Sequence, residues 1–434
     1  MMEIIDASDS KKLESLYRGG WDAPQNVIDG VGTIVRAVRE HGDDAVIEYT
    51  RRFDDANFEL TQLHVPIPPR SEARRLVPDD VARALELARE RVAHFHEKQR
   101  RSDIVYSEDD GTRYGFYSQP LDSVAAYVPG GSAPLPSSVV MTTVPAKVAG
   151  VARCIVLTPP QRSGSVHPAI LYACSLCEVD ELYTVGGAQA IAAAAYGTVT
   201  IAPVDKIVGP GNVWVTEAKR QVFGICGIDG LAGPSEVLVV ADEGAHPDYV
   251  VGELLAQAEH DPLARVALVS ESRLLLESCI KKLAAIDMAT LPRGAIIAQS
   301  LGTNCFIIHA ATQNEIFEVI NRFAPEHLSL QVRDVDEYLP RIRHVGAVFA
   351  GDCTPVACGD YISGTNHVLP TSGAARFSSG LSTSDFMRTF TFVENSETRM
   401  RADAPLLATL ADFEGLAQHA QTARIRSSIE KNAG

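Results

Sequence analysis

Two hydrophobic periods divide this chain. From Val27 to Arg101 apolar residues recur at helical spacing among charged ones, and Asp79 to Arg101 predicts one long amphipathic helix. Ahead of it, Ser8 to Tyr17 predicts a short peripheral helix that ends at Gly19-Gly20. The polar, turn-rich stretch Ser102 to Gly115 then marks a change of character. From Ser123 onward short β-branched runs alternate with helical patterns: Val124 to Val128, Cys154 to Leu157, Leu182 to Val185 and Lys206 to Val208, each followed by a Gly or Pro turn. The rhythm resumes at Glu236 to Ala241, Arg265 to Val269, Phe306 to Ile308, Leu328 to Val332 and Ala347 to Phe349. Strand, turn and helix in repetition predict parallel sheets covered by helices. After Ser384 the strand signal weakens, and Ala404 to Arg426 reads as mostly helical.

The expected fold class is therefore α/β: two Rossmann-like parallel-sheet domains with small N-terminal and C-terminal helical extensions. A boundary falls near Ala232-Gly-Pro234, and no internal repeat or low-complexity tract is visible.

Composition narrows the function. A chain of 434 residues is long enough for two or three domains, and a formal net charge of −16 argues against nucleic acid or an anionic membrane as partner. The N-terminus has no basic or apolar leader pattern and no window reaches the length of a membrane span, so a cytoplasmic protein is expected. The eight cysteines are scattered, mostly in apolar runs, as small buried hydrophobes in a reducing compartment would be. Cys174 and Cys177 have CxxC spacing but no second pair or nearby histidine, which argues against metal or redox use.

Candidate chemistry falls at four places. A helix beginning at Pro247 carries Gln257 and His260 three apart, at the edge of an apolar stripe formed by Val250, Val251, Leu254, Leu255 and Ala258. Both side chains can serve as ligands from one turn; alternatively, His260 simply complements the helix dipole. Three predicted strands end in Gly-rich turns, Pro129-Gly130-Gly131, Gly186-Gly187 and Gly209-Pro210-Gly211. Such turns suit a pyrophosphate at the carboxyl ends of parallel strands, yet none is GxGxxG, and ordinary βα turns look the same. Pro325 stops a helix and leaves Glu326 and His327 before the next strand, either as an acid–base pair or as a solvated carboxylate beside a helix-terminal histidine. The polar loop Cys358 to His367 offers Asp360 as an oxygen ligand, and Glu414 and His419 add a carboxylate and an imidazole. Gln257, His260, Asp360 and His419 together permit a mixed nitrogen and oxygen site for zinc.

Read in order, these segments resemble the histidinol dehydrogenase family. The resemblance is carried by Tyr127-Val-Pro-Gly-Gly131, Leu135-Pro-Ser-Ser138, Pro145-Ala-Lys-Val-Ala-Gly150, Gly186-Gly-Ala-Gln-Ala-Ile191, Val208-Gly-Pro-Gly-Asn212, Ala218-Lys-Arg-Gln-Val-Phe-Gly224 and Gly233-Pro-Ser-Glu236. It continues through Gln257-Ala-Glu-His260, Ala324-Pro-Glu-His327, Gly359-Asp360, Gly364-Thr-Asn-His367, Ala375-Arg-Phe-Ser-Ser-Gly380 and Glu414-Gly-Leu-x-x-His419, so that it spans roughly residues 20 to 425. Two departures touch no ligand: Val140-Met-Thr-Thr in place of a more usual Leu-Met-Asn run, and Cys358 before Gly359.

The resemblance implies one Zn2+ per subunit on Gln257, His260, Asp360 and His419, and NAD against Tyr127, Gln189 and Asn212. It implies substrate contacts from Ser235, Gln257, His260, His327, Asp360, His367, Glu414 and His419, with His327 and Glu326 catalytic. The reaction implied is oxidation of L-histidinol to L-histidine through histidinaldehyde, with two NAD used in turn, by a homodimer whose C-terminal segment reaches the neighbouring subunit's site, with Glu414 and His419 acting in cis or in trans. Four parts are then expected: 1–20 as N-terminal extension, 21–121 with 236–382 carrying most zinc and catalytic residues, 122–235 contacting NAD, and 383–434 extending to the partner. Rival readings are a related zinc and NAD dehydrogenase acting on another small alcohol such as a sulfonated diol, a non-catalytic two-domain binding protein, and a zinc hydrolase.

Overall fold

The computed structural model describes residues 2–17, 19–130, 134–161 and 165–427. The chain forms two compact units, one of Met1–Gln99 with Leu121–Phe386, the other of Arg100–Pro120 with Met387–Gly434.

The first unit holds two six-stranded sheets. One runs His64–Val65, Glu181–Thr184, Arg153–Thr158, Ser123–Tyr127, Lys206–Val208, Gly227–Ile228, parallel except at the two-residue edge strand His64–Val65. The other runs Ile4–Asp6, Cys305–His309, Arg265–Ser270, Glu236–Ala241, His327–Gln331, Ala347–Ala350, parallel throughout. Setting aside its outermost edge strand, each sheet has the same order, with the third, second, first, fourth and fifth strands side by side, although the sequence shows no repeat. All nine expected strands form within one or two residues of their predicted limits. They form because strands such as Val237 to Ala241 are buried along their whole length, and β-branched residues suit a strand covered on both faces.

The N-terminal helices attach in a way the pattern did not indicate. Val27, Val31, Ile34, Val46 and Tyr49, from Gln25–His41 and Asp43–Phe53, share a core with Tyr127, Ile155 and Ile207 of the first sheet. Residues 25–53 therefore pack with the sheet expected to meet NAD, not with the 236–382 sheet they were grouped with. Amphipathic periodicity says that a helix has an apolar face; it does not say which sheet that face meets.

Both extensions contribute helix, and each adds a strand. Ile4–Asp6 joins the edge of the second sheet, and the predicted helix Ser8 to Tyr17 shortens to Glu14–Tyr17. In the second unit Met387–Glu394, Arg113–Pro120 and Ile104–Ser107 form an antiparallel sheet, followed by helices Glu397–Phe413 and Ala417–Ser427. Ile104–Ser107 is exposed at every position, so no buried face imposes the alternation that would have revealed it.

Candidate active site

The site grows from a helix that ends abruptly. Thr312 caps Gln313–Phe323 by accepting from the Glu315 N–H, and Ala324 closes it in the left-handed region at φ 51°. A non-glycine residue there costs roughly 1 kcal/mol, and Pro325 then forbids any return to helix. The corner delivers Glu326 and then His327, the first residue of strand His327–Gln331.

His327 is 5% exposed, and its Nδ1 lies 2.9 Å from the backbone carbonyl of Glu236. A carbonyl only accepts, so Nδ1 carries the proton and Nε2 is the bare lone pair. Nε2 is buried without a hydrogen-bond partner, 3.9 Å from Oδ1 of Asp360. Burial lowers the His327 pKa to about 4, with His260 and His367 adding to the effect. Glu326 is also buried, its Oε2 accepting from the Glu236 N–H at 2.9 Å. Burial pushes its carboxyl well above the usual range, reinforced by Glu236 and Asp360. One residue, Glu236, thus orients both members of the pair through its backbone, while Arg265 and the Ser372 N–H hold its own carboxylate.

Gln257 lies in the last turn of Pro247–Ala258, 3% exposed, with an Nε2 that finds no partner. An amide can turn over, so its oxygen can occupy that position and serve as a donor to a cation. The helix stops at Ala258, two residues before His260; the His260 N–H nevertheless bonds the Gln257 carbonyl at 3.2 Å, which keeps the two on one turn. His260 is exposed. Asp360 stands on the short helix Val356–Tyr361, and burial raises its pKa to about 6. Only glycine fits before it: a Cβ on Gly359 would come within 2.4 Å of the Phe349 ring.

Among the described residues no group of three or more His, Cys, Asp or Glu side chains is gathered as a ready metal cage. Of the four expected donors, only His260 and Asp360 are of that kind within the first unit, Gln257 adds an amide, and His419 belongs to the second unit. The donor chemistry fits a mixed site, in which the unpartnered Gln257 amide is free to supply one donor. Glu414 ends Glu397–Phe413 and His419 lies on Ala417–Ser427, both exposed.

His367 joins the two sheets. Its Nδ1 lies 3.1 Å from the Asp360 carbonyl and its Nε2 3.4 Å from Oγ of Ser138, in the first turn of helix Pro136–Ala149 after strand Ser123–Tyr127. Burial lowers its pKa to about 4. Ser235 is half-buried just before strand Glu236–Ala241, its carbonyl accepting from the Arg265 N–H.

The expected cofactor residues cluster at the carboxyl ends of the first sheet. Strands Ser123–Tyr127 and Lys206–Val208 are neighbours whose following connections leave in opposite directions, the position where parallel sheets open a crevice. The Tyr127 hydroxyl accepts from the Gly187 N–H at 3.2 Å. Gln189 is 1% exposed with neither side-chain polar atom partnered. Asn212 caps Val213–Val222 by accepting from the Trp214 and Val215 N–H groups at 3.0 and 3.2 Å. Gly209 has φ 111°, and a Cβ there would lie 2.3 Å from the Tyr127 carbonyl oxygen. Buried Lys219, paired with Asp229, donates to the Gly209 carbonyl and fixes this turn. Gly131 of the first turn lies outside the described residues.

Sequence reading missed Glu236, Glu253, Ser138 and the Lys219–Asp229 pair. Glu236, Ser138 and Lys219 stood in quoted motifs without an assigned role, and Glu253 left its trace as a carboxylate on an otherwise apolar helix face. Cys174 and Cys177 are free and buried, burial pushing the Cys177 thiol up to about 12, and among the described residues only Cys353 is exposed.

Glycine turns at the carboxyl ends of one parallel sheet and a buried imidazole and carboxyl at the other define the class: an α/β enzyme built from two Rossmann-like halves. The family model described as histidinol dehydrogenase matches residues 21–427. "Histidinol dehydrogenase" of Gluconobacter oxydans is 44% identical over 431 residues, 99% of each chain, and "Histidinol dehydrogenase 1" of Trichormus variabilis is 42% identical over 98% of each. The crystal structure of histidinol dehydrogenase from Elizabethkingia anophelis superposes with a TM-score of 0.91 at 33% identity, covering 98% of this chain and 97% of that one. The chain belongs to the histidinol dehydrogenase family, which makes it an NAD-dependent oxidoreductase of histidine biosynthesis.

Proposed function

We propose that the chain oxidises L-histidinol to L-histidine through histidinaldehyde, with zinc on Gln257, His260, Asp360 and His419 and with NAD against Tyr127, Gln189 and Asn212. The observation that carries the reading is the bare, buried Nε2 of His327, a base that burial holds in its neutral form near pH 7. Bound zinc supplies a cationic anchor that orients the substrate's nitrogen atoms, and NAD accepts the hydride. His327 takes the alcohol proton on Nε2 as hydride leaves the carbinol carbon. Glu326 then removes a proton from the water that adds to the aldehyde, and its raised pKa suits a base of that kind. A second hydride transfer yields the carboxylate, so each turnover reduces two NAD. Ser235, His367 and Glu414 complete the substrate contacts.

We further infer a homodimer in which Glu414 and His419 serve the partner's site, and a cytoplasmic location. Among the described residues no helix is long and apolar enough to cross a membrane. The relatives reported above carry the histidinol name, and nothing favours a sulfonated diol. His327→Asn is expected to abolish NADH formation from histidinol at unchanged zinc content. Glu326→Gln is expected to retain the first oxidation and stall at the aldehyde. Rapid-quench analysis with L-histidinol checks both, and undiminished aldehyde oxidation by Glu326→Gln would remove Glu326 from the water step.

A further inference from the structure

Four residues before Gln257, on the same face of Pro247–Ala258, lies a carboxylate that the mechanism above does not use. Glu253 is 7% exposed, among Val250, Val251 and Leu254, where helical periodicity calls for an apolar side chain. Burying a carboxyl group is costly unless its oxygens are bonded. Here Oε1 and Oε2 both accept from the Val356 N–H, at 3.3 and 3.2 Å. Val356 is the first residue of Val356–Tyr361, whose preceding residue, Pro355, offers no side-chain cap. Glu253 thus supplies from another helix the acceptor that this helix lacks at its own start. The far end of the same short helix carries Asp360, and Gly359 seats it on Phe349, whose ring also faces His327 at 5.9 Å between centroids. Burial raises the Glu253 pKa, and the charge of Asp360 raises it further.

We propose that Glu253 is a positioning residue: it ties the helix bearing Gln257 to the helix bearing Asp360 and thereby sets the spacing of two metal donors. The inference rests on the zinc reading given above. A hydrophobic side chain would fill the same volume without the desolvation penalty, so the carboxylate serves placement rather than stability.

The test is Zn2+ affinity by chelator competition on the full-length protein, with thermal unfolding of the metal-free form measured alongside. Removing a group hydrogen-bonded directly to a metal ligand typically weakens affinity about 10- to 100-fold. Glu253 acts one step further out, through the Val356 N–H, so Glu253→Ala is expected at the lower end, about tenfold. Glu253→Gln keeps an oxygen for the Val356 N–H and is expected to stay within about threefold of wild type. Leu254→Ala is a buried change on the same helix that destabilises without cutting the tie, and it is expected to leave Zn2+ affinity within about threefold. Val356→Pro removes the donor instead of the acceptor at a position where proline suits a helix start, and it is expected to weaken Zn2+ as Glu253→Ala does. Undiminished affinity in Glu253→Ala or Val356→Pro overturns the inference, as does an equal loss in Leu254→Ala. A wild type that binds no Zn2+ overturns the zinc reading itself, and this inference with it.

Discussion

His327 shows how one side chain is tuned by what it cannot reach. Its Nδ1 is taken by the Glu236 carbonyl and its Nε2 has no hydrogen-bond partner. The Glu326 and Asp360 carboxyls lie 3.5 and 3.9 Å away, but burial raises the pKa of both, and the imidazolium has no water to stabilise it. Its folded pKa, about 4, lies below the ordinary 6.5. Between those values the unfolded chain binds the extra proton, so this group's contribution to stability is complete above pH 6.5 and is lost as pH falls toward 4. Glu326, with a raised pKa, slopes the opposite way, so the His327 share is best read by difference. Between pH 7.5 and pH 5, metal-free wild type is expected to lose about 2 kcal/mol more than metal-free His327→Asn, as measured by urea unfolding. Equal losses would mean that the imidazole is as hydrated in the fold as outside it.

At the scale of elements, two edges of two sheets divide the labour. The first sheet follows the general rule, with its glycine turns and Asn212 at the carboxyl ends of its strands. The second sheet departs from it: Glu236 and His327 stand at the amino ends of neighbouring strands. This is why the strands were legible in the sequence and the site geometry less so. A buried β-branched run announces itself, and so does Pro325 ending a helix. Nothing in the pattern tells that the Glu236 backbone, rather than a side chain, holds both His327 and Glu326. Similarly, Lys219 reads as a helix charge and proves to be the clamp on Gly209. Gly209→Ala meets both a positive φ and the Tyr127 carbonyl, a strain of about 1–3 kcal/mol. It is expected to raise KM for NAD about tenfold or more while zinc content stays normal, since the donors belong to the other sheet. Loss of zinc in parallel with NAD affinity would show that the two halves are not independent.

For the whole molecule, residues of the second unit are proposed above to serve the chemistry of the first in trans. Glu414 and His419 are exposed on their own unit, and a two-fold dimer provides the simplest way to cover them. Mixing decides it. His327→Asn and His419→Asn are each expected to be inactive alone, and in a mixed dimer with sites completed in trans, one site carries both defects while the other carries none. Equal amounts unfolded and reassembled together are then expected to recover about a quarter of wild-type activity, half of the dimers being mixed and half of their sites intact. Sites completed within one chain would recover nothing. The antiparallel sheet and paired helices of this unit left little hydrophobic signal, because exposed strands need not alternate when no core lies beneath them.

The left-handed corner at Ala324 bears on the order of events in catalysis. The residue is fully buried and backed by a proline, so the chain between helix and strand has almost no freedom left. The imidazole therefore stands aimed before any metal, cofactor or alcohol arrives, and docking incurs little entropy loss at the reacting end.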